Sequence, residues 1–268
     1  MFKYVHVINI GLQNTLVYRV NFFLRSVFGL IPLTATIFLW RSVYSGQESN
    51  QGVAGYTLDN MISYYLVVTL VDMLTAVAED DWQIAADIKD GNLNQLLLKP
   101  IDYLTYRLCL FLSGRIIYTV VALIPVSLFI IFQRQYFVFP NDPAIWGWFT
   151  LSLLLTGLLQ FFMSYTMALL AFWVLEVSTF IFILFAFEYI AGGHLFPLDI
   201  LPKGLAQFLQ FTPFPYQLFF PVSVYLERKQ GWDLGQGLII QAGWVIFFYL
   251  VARMVWKKGL RKYTAVGG

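Results

Sequence analysis

Residues 80–100 read DDWQIAADIKDGNLNQLLLKP and form a charged segment between two long apolar runs of a 268-residue chain. Apolar runs of that length are typical of membrane spans. Gly91 predicts the end of a first helix, because glycine adopts the left-handed C-terminal cap without a Cβ penalty. Leu93, Leu96 and Leu97 then share one face of a second short helix. We expect this segment either to dock onto another protein or to form an ordinary cytoplasmic loop with a surface helix.

The run IKDGNLNQLLLKPIDYL, residues 88–104, resembles the cytoplasmic loop of type-2 ABC exporter permeases. The resemblance is greatest to the six-span branch that includes drug-export permeases. In that family the loop is a coupling helix, which sits in a groove of the ATP-binding subunit. The resemblance therefore implies that the residues contacting the ATPase are Asp87, Ile88, Lys89, Asp90, Gly91, Leu93, Leu96, Leu97, Leu98, Lys99 and Pro100.

Composition places the chain among membrane proteins. Hydrophobic residues make up 59% of the sequence and charged residues only 12%, whereas roughly a quarter of a soluble domain is charged. The single cysteine, Cys109, excludes an internal disulfide and a cysteine-cluster metal site. A net charge of +2 gives no indication of a nucleic-acid partner.

Six apolar runs approach the roughly 20 residues that cross about 30 Å of hydrocarbon. Before them, apolar side chains recur at helical spacing within residues 1–20, which predicts an amphipathic helix in the headgroup plane. A plain helical extension of the first span is the alternative. The predicted spans are 22–40, 58–78, 108–132, 145–172, 174–192 and 238–256.

Lysine and arginine are concentrated near both chain ends and in the 80–100 segment, which indicates the side that faces the cytoplasm. Six spans place both termini and this segment together on that side, in the cytoplasmic membrane of a bacterium. We therefore predict an all-α integral membrane protein, with one transmembrane domain over residues 1–268.

A proline-rich stretch, residues 193–227, precedes the last predicted span. A continuous span through so many prolines would leave backbone groups unsatisfied in lipid, at several kcal/mol each. Two short helices, 204–211 and 216–226, that dip into the outer leaflet fit better, and they resemble the re-entrant hairpin of type-2 ABC permeases. The residues that define this predicted hairpin are Gly193, Pro197, Pro202, Pro213, Pro215 and Pro221.

Ionisable residues within spans are costly and are therefore candidates for function. Asp72 and Arg115 are predicted to lie at matching depth on neighbouring antiparallel spans, so we expect an ion pair between them. The alternative is that each charge faces a water-filled cavity independently.

Glu188 lies among aromatic residues that include Phe185 and Tyr189, and these three are candidates for facing the substrate. An acid among aromatic rings attracts an organic cation, which the ring faces also bind. Alternatively, Glu188 pairs with Arg41 or with a helix N-terminus of the hairpin.

The chain has no G-x-x-x-x-G-K-[ST] phosphate loop and no H-E-x-x-H motif. We therefore expect no catalytic, metal or cofactor residue here, and His194 is expected to be a structural or interfacial residue rather than a ligand. By resemblance, ATP and Mg²⁺ are bound by a separate ATP-binding subunit, present in two copies.

The predicted function is that of a permease subunit, not an enzyme, which moves a hydrophobic or amphiphilic substrate, drug-like or lipid-like, outward across the membrane. It is expected to pair with a second permease, identical or related, among membrane lipids. Two alternatives remain open. One is export of a lipid-linked polysaccharide, and the other is a secondary transporter, which needs coupling-ion groups in broken midplane helices.

Overall fold

The computed structural model describes residues 2–46, 52–77 and 80–263, and this part of the chain is built from helices without a β-strand. Residue 78, the predicted end of the second span, lies outside the described residues, as do residue 1 and residues 264–268. The α-helices in chain order are α1 (Phe2–Leu16), α2 (Arg19–Ser45), α3 (Leu58–Thr75), α4 (Asp80–Lys89), α5 (Leu93–Leu97), α6 (Tyr103–Phe132), α7 (Ala144–Ala168), α8 (Ser178–Ala191), α9 (Lys203–Gln210), α10 (Phe219–Tyr225) and α11 (Gly231–Lys262).

Within the described ranges, 4 helices are long and apolar enough to cross a membrane: α2, α6, α7 with its 3₁₀ extension to Phe172, and α11. They occupy the predicted first, third, fourth and sixth spans. At the predicted second and fifth positions lie shorter helices, α3 with 18 residues and α8 with 14. At 1.5 Å per residue α8 is about 21 Å long, shorter than the roughly 30 Å of a bilayer core. Helix length alone therefore supports a multi-pass membrane protein, with fewer full-length spans than predicted.

Helix α3 is the most enclosed of the long helices. Every residue from Met61 to Val68 is buried, and α2, α6, α7 and α10 pack around it. Protein rather than lipid therefore surrounds α3, and this explains how it accommodates polar side chains. Tyr64, fully buried, donates a hydrogen bond to the backbone oxygen of Gly193 at 2.6 Å.

The proline-rich stretch folds into the two predicted short helices. Helix α9 follows Pro202, and α10 follows a 3₁₀ turn at Phe214–Gln217, which Pro213 precedes. The prolines lie at or near the beginnings of these elements, where a missing N–H group costs least. Short helices therefore lie close to the predicted positions, whereas the re-entrant hairpin itself stays a prediction.

An ionic cluster fixes the hairpin to the loop before α3. Tyr56 donates a hydrogen bond to Asp199 at 2.9 Å, and Arg228 pairs with the same carboxylate at 3.2 Å. The guanidinium of Arg228 also lies 3.8 Å from the centre of the Tyr56 ring. We call this end of the bundle the hairpin end. Helices α4 and α5 form a bent unit, the elbow, and we call the end that carries them the elbow end.

Two glycines of α11 test how tightly this helix is packed. A Cβ atom on Gly259 would lie 2.1 Å from the Phe172 ring, whereas one on Gly243 would meet nothing within 4 Å. We expect Gly259→Ala to destabilise the protein by about 1–3 kcal/mol through overpacking. Gly243→Ala should be neutral or stabilising by up to about 1 kcal/mol, because alanine is the better helix former. Thermal unfolding in detergent measures both, and equal shifts in the same direction would contradict this packing.

Candidate functional site

Residues 80–100 form a bent unit, here called the coupling elbow, which consists of α4, a turn and α5. Helix α4 ends at Lys89, and Gly91 has a φ of +76°, a value that favours glycine. Helix α5 ends at Leu97, three residues before Pro100. The predicted helix–glycine–helix pattern is therefore confirmed as secondary structure.

A buried charge cluster fixes the elbow to the first turns of α6. Arg107 is 4% exposed and pairs with the Asp87 carboxylate of α4. Arg107 Nε donates to the Tyr103 hydroxyl at 3.0 Å, and Tyr103 donates to Asp87 at 2.8 Å. The Arg107 guanidinium also donates to the backbone oxygen of Gln83 at 3.1 Å. These hydrogen bonds satisfy both charges, which a buried ion pair needs in order to be tolerated.

The start of α6 is also held by α11. The Tyr103 ring stacks on Trp256 with centroids 4.7 Å apart and planes 6° from parallel. Asp102 accepts a hydrogen bond from Thr105 at 3.1 Å and pairs with Arg253. Partial burial raises the pKa of Asp102, but the hydrogen bonds from Arg253 and Thr105 outweigh it and hold the pKa below its ordinary value. Elbow, α6 and α11 therefore meet in one cluster.

The leucines of the elbow divide between core and surface. Leu93 is fully buried and Ile88 is 4% exposed, and both belong to the hydrophobic core. Leu97 is 44% exposed and Leu98 is 88% exposed. The expectation that Leu93 shares a docking face with Leu97 is therefore replaced, because Leu93 anchors the elbow to the bundle. The other predicted contact residues at the elbow surface are Lys89, Asp90, Lys99 and Pro100, all exposed, with Asp87, Gly91 and Leu96 partly buried.

Helix α1 completes the elbow end. Lys3 donates a hydrogen bond to the backbone oxygen of Pro100, and the backbone N–H of Asp102 donates to the Tyr4 hydroxyl at 3.1 Å. Further along, Ser113 of α6 donates to the backbone oxygen of Ile8 at 3.1 Å. The amphipathic helix predicted at the N-terminus is thus a separate helix that packs along α6.

A cavity of about 310 Å³ opens between α3, α4, α7 and α8. It brings together the three residues predicted to face a substrate, Phe185, Glu188 and Tyr189. Asp72 and His194 also line this cavity.

A chain of polar contacts crosses the cavity wall. Asp72 lies 3.2 Å from Nε2 of His194, whose ring stacks on Tyr189 at 5.3 Å. The Gln217 side chain of the hairpin donates to Glu188 at 3.0 Å, and Gln160 of α7 donates to the Gln217 backbone oxygen at 3.2 Å. These contacts join α3, α7, α8 and the hairpin around one polar centre.

A family model described as ABC-2 family transporter protein matches residues 30–267, which is most of the chain. The chain belongs to this family. Searches of curated proteins and of solved structures found no match. Members of the family are multi-pass transport subunits that work with an ABC ATPase subunit, so the predicted family and the predicted class of protein are confirmed.

In this ABC-2 permease, Asp72 and Arg115 meet through the backbone instead of forming the predicted ion pair. The Arg115 guanidinium donates to the backbone oxygens of Asp72 at 3.1 Å and Met73 at 3.4 Å. These oxygens belong to the last turn of α3, where carbonyl groups attract a cation. The Asp72 carboxylate instead lies 3.2 Å from Nε2 of His194.

The structure also distinguishes between the partners that were considered for Glu188. Glu188 accepts from Gln217, a neutral hairpin residue, whereas Arg41 lies 4.9 Å from the centre of the Tyr136 ring. Gln160 and Gln217, both buried, were not predicted from the sequence as site residues. The signal for them was present, since a glutamine within an apolar run needs a buried partner.

The buried pair at the elbow generates a stability prediction. Asp87→Asn should destabilise the permease by about 3–5 kcal/mol, because it leaves the buried Arg107 guanidinium uncompensated. Arg107→Met should have a comparable effect through the orphaned carboxylate. The double variant should lose clearly less than the sum of the two.

The matched control is the exposed pair at the same end, Asp102 and Arg253. The variants Asp102→Asn and Arg253→Met should each cost no more than about 1 kcal/mol. Thermal unfolding in detergent measures all five proteins. The buried-pair account would be contradicted if the stability losses of Asp87→Asn and Arg107→Met were additive in the double variant. It would also be contradicted if the Asp102 and Arg253 variants lost as much stability as those two.

Proposed function

We propose that this permease is the membrane subunit of an ATP-driven exporter, assembled from two permeases and two ATPase subunits. In this proposal α3 and α8 are the second and fifth of six spans, and the hairpin re-enters the outer leaflet. Both termini and the elbow then face the cytoplasm of a bacterial cell. ATP and Mg²⁺ are bound by the ATPase subunits, and this chain contributes no catalytic group.

The observation that carries the proposal is an exposed apolar tip on a firmly attached elbow. Leu97 and Leu98 are exposed in the same segment as exposed Lys89, Asp90 and Lys99. Apolar surface next to charged residues is stabilised by burial against a partner, at about 25 cal/mol per Å². A groove of the ATPase subunit, rimmed by polar groups, suits such a tip.

The attachment of the elbow supplies a mechanism for coupling. The Arg107–Asp87 pair joins α4 to α6, and Tyr103 stacks on Trp256 of α11. A displacement of the elbow by the ATPase subunits is therefore passed to two long helices together. At the other end, the cluster of Tyr56, Asp199 and Arg228 holds the hairpin against α3 and serves as the outer closure.

We place the transport pathway at the cavity between α3 and α8. The face of α8 beside it exposes Phe182, Phe185 and Tyr189, which suits a hydrophobic or amphiphilic substrate, drug-like or lipid-like. A second permease packed against this face would enclose the pathway between the two copies. The direction of transport is outward.

The docking role of the elbow predicts the behaviour of two single variants. Leu97→Asp and Leu98→Asp should leave the permease folded, because both side chains are exposed, but should weaken binding of the ATPase subunit tenfold or more (about 1.4 kcal/mol per tenfold). Co-purification and titration with the cognate ATPase subunit measure this.

The control is Phe211→Asp, which likewise replaces an apolar side chain with aspartate, at an 81% exposed residue of the hairpin end. This variant should bind the ATPase subunit as the unaltered permease does. Undiminished binding of both elbow variants would remove the docking role, and an equal loss in the control would show that the effect is not specific.

A further inference from the structure

The cavity between α3 and α8 is lined by several carboxylates. Among the described residues that line it, three are carboxylates, Asp72, Asp81 and Glu188, and one is an arginine, Arg25. His194 lines it as well and contacts Asp72. Acidic groups inside an apolar bundle are costly and produce a strong local potential for cations.

Aromatic rings form the part of the cavity that lies along α8. Phe182, Phe185 and Tyr189 line it and are 69%, 58% and 43% exposed. Ring faces attract cations, and more strongly where water is excluded. The combination of carboxylates with open ring faces favours a positively charged ligand that also has an apolar surface.

Gln160 gives an independent indication of a hydrogen-bond donor in the ligand. Its side chain is 8% exposed and lines the same cavity. Its Nε2 donates to the Gln217 backbone oxygen at 3.2 Å, but its Oε1 has no hydrogen-bond partner within the described part of the chain. Buried acceptors are nearly always satisfied in proteins, so this oxygen is available to an N–H group of a ligand.

We infer that this cavity binds an amphiphilic organic cation that carries N–H donors. The inference rests on the proposed function, since it names the substrate class of the pathway placed at this cavity. The charge lies near Glu188, the apolar part lies along Phe185 and Tyr189, and a donor reaches Gln160. A volume of about 310 Å³ suits a ligand of small-drug size.

The test uses the full-length permease in nanodiscs of zwitterionic lipid, with ethidium as the probe. Ethidium is a flat aromatic cation with amino groups, and its fluorescence anisotropy reports binding. Unlabelled tetraphenylphosphonium should compete with ethidium, whereas tetraphenylborate, an anion of the same shape, should not. Equal competition by both ions, or no saturable binding of ethidium, would overturn the inference.

Charge-neutral variants locate the site. Glu188→Gln should raise the Kd of ethidium about tenfold or more, because a desolvated carboxylate is lost. Glu176→Gln, an identical change at an exposed residue just before α8, should leave the Kd unchanged. Glu188→Asp keeps the charge and should retain most of the binding. An unchanged Kd in Glu188→Gln, or equal losses in the two glutamine variants, would overturn the assignment.

Gln160→Leu separates the hydrogen bond from the charge. This variant should weaken binding of ethidium severalfold but leave that of tetraphenylphosphonium, which has no N–H group, unchanged. Equal effects on the two cations would exclude the donor contact. Binding of ethidium does not depend on docking of the ATPase subunit. If the ATPase subunit docks but no cation binds, only the inferred substrate class is overturned. If the cation binds but the ATPase subunit does not dock, only the proposed role as an ATP-driven exporter is overturned.

Discussion

The pairing of Arg107 with Asp87 is the interaction on which the elbow end depends. The guanidinium is 4% exposed, and such a charge is tolerated only when its partner and its hydrogen bonds are all in place. Tyr103 and the Gln83 backbone complete that set. Because Asp87 lies in α4 and Arg107 in α6, the requirement holds the elbow against the start of α6. Leu93 of the elbow is buried in the core, and Leu98 is exposed.

Enclosure of α3 is the second constraint. Tyr64, Tyr65 and Asp72 of α3 contact residues 193–195 only because that stretch folds back along the helix. Leu58 and Asp72 are about 21 Å apart along the axis of α3, at 1.5 Å per residue. The stretch therefore extends deep into the bundle, and it places His194 beside the cavity. Hydrogen bonds therefore join the hairpin to both α3 and α8.

Sequence was sufficient where the signal was local. Gly91 marked the break in the elbow, Pro202 and Pro213 marked the short helices, and the apolar runs marked the long ones. It was insufficient where side chains meet across the fold. The Asp72 partner depended on the path of the chain after Gly192, and burial of Leu93 depended on how the elbow packs against the bundle. The helical spacing predicted that Leu93, Leu96 and Leu97 share one face, but only tertiary packing decides which of them are buried in the core.

The most direct test of coupling through the elbow measures how ATP changes the cavity. Phe185→Cys in a Cys109→Ser background provides a thiol at the cavity, whose labelling rate is measured in complex with the ATPase subunit, with and without ATP. In the permease with the intact pair, ATP should change that rate. In the double variant Asp87→Asn with Arg107→Met, the subunit should still bind and hydrolyse ATP, but the labelling rate should no longer respond. An identical response to ATP in both proteins would contradict coupling through this pair.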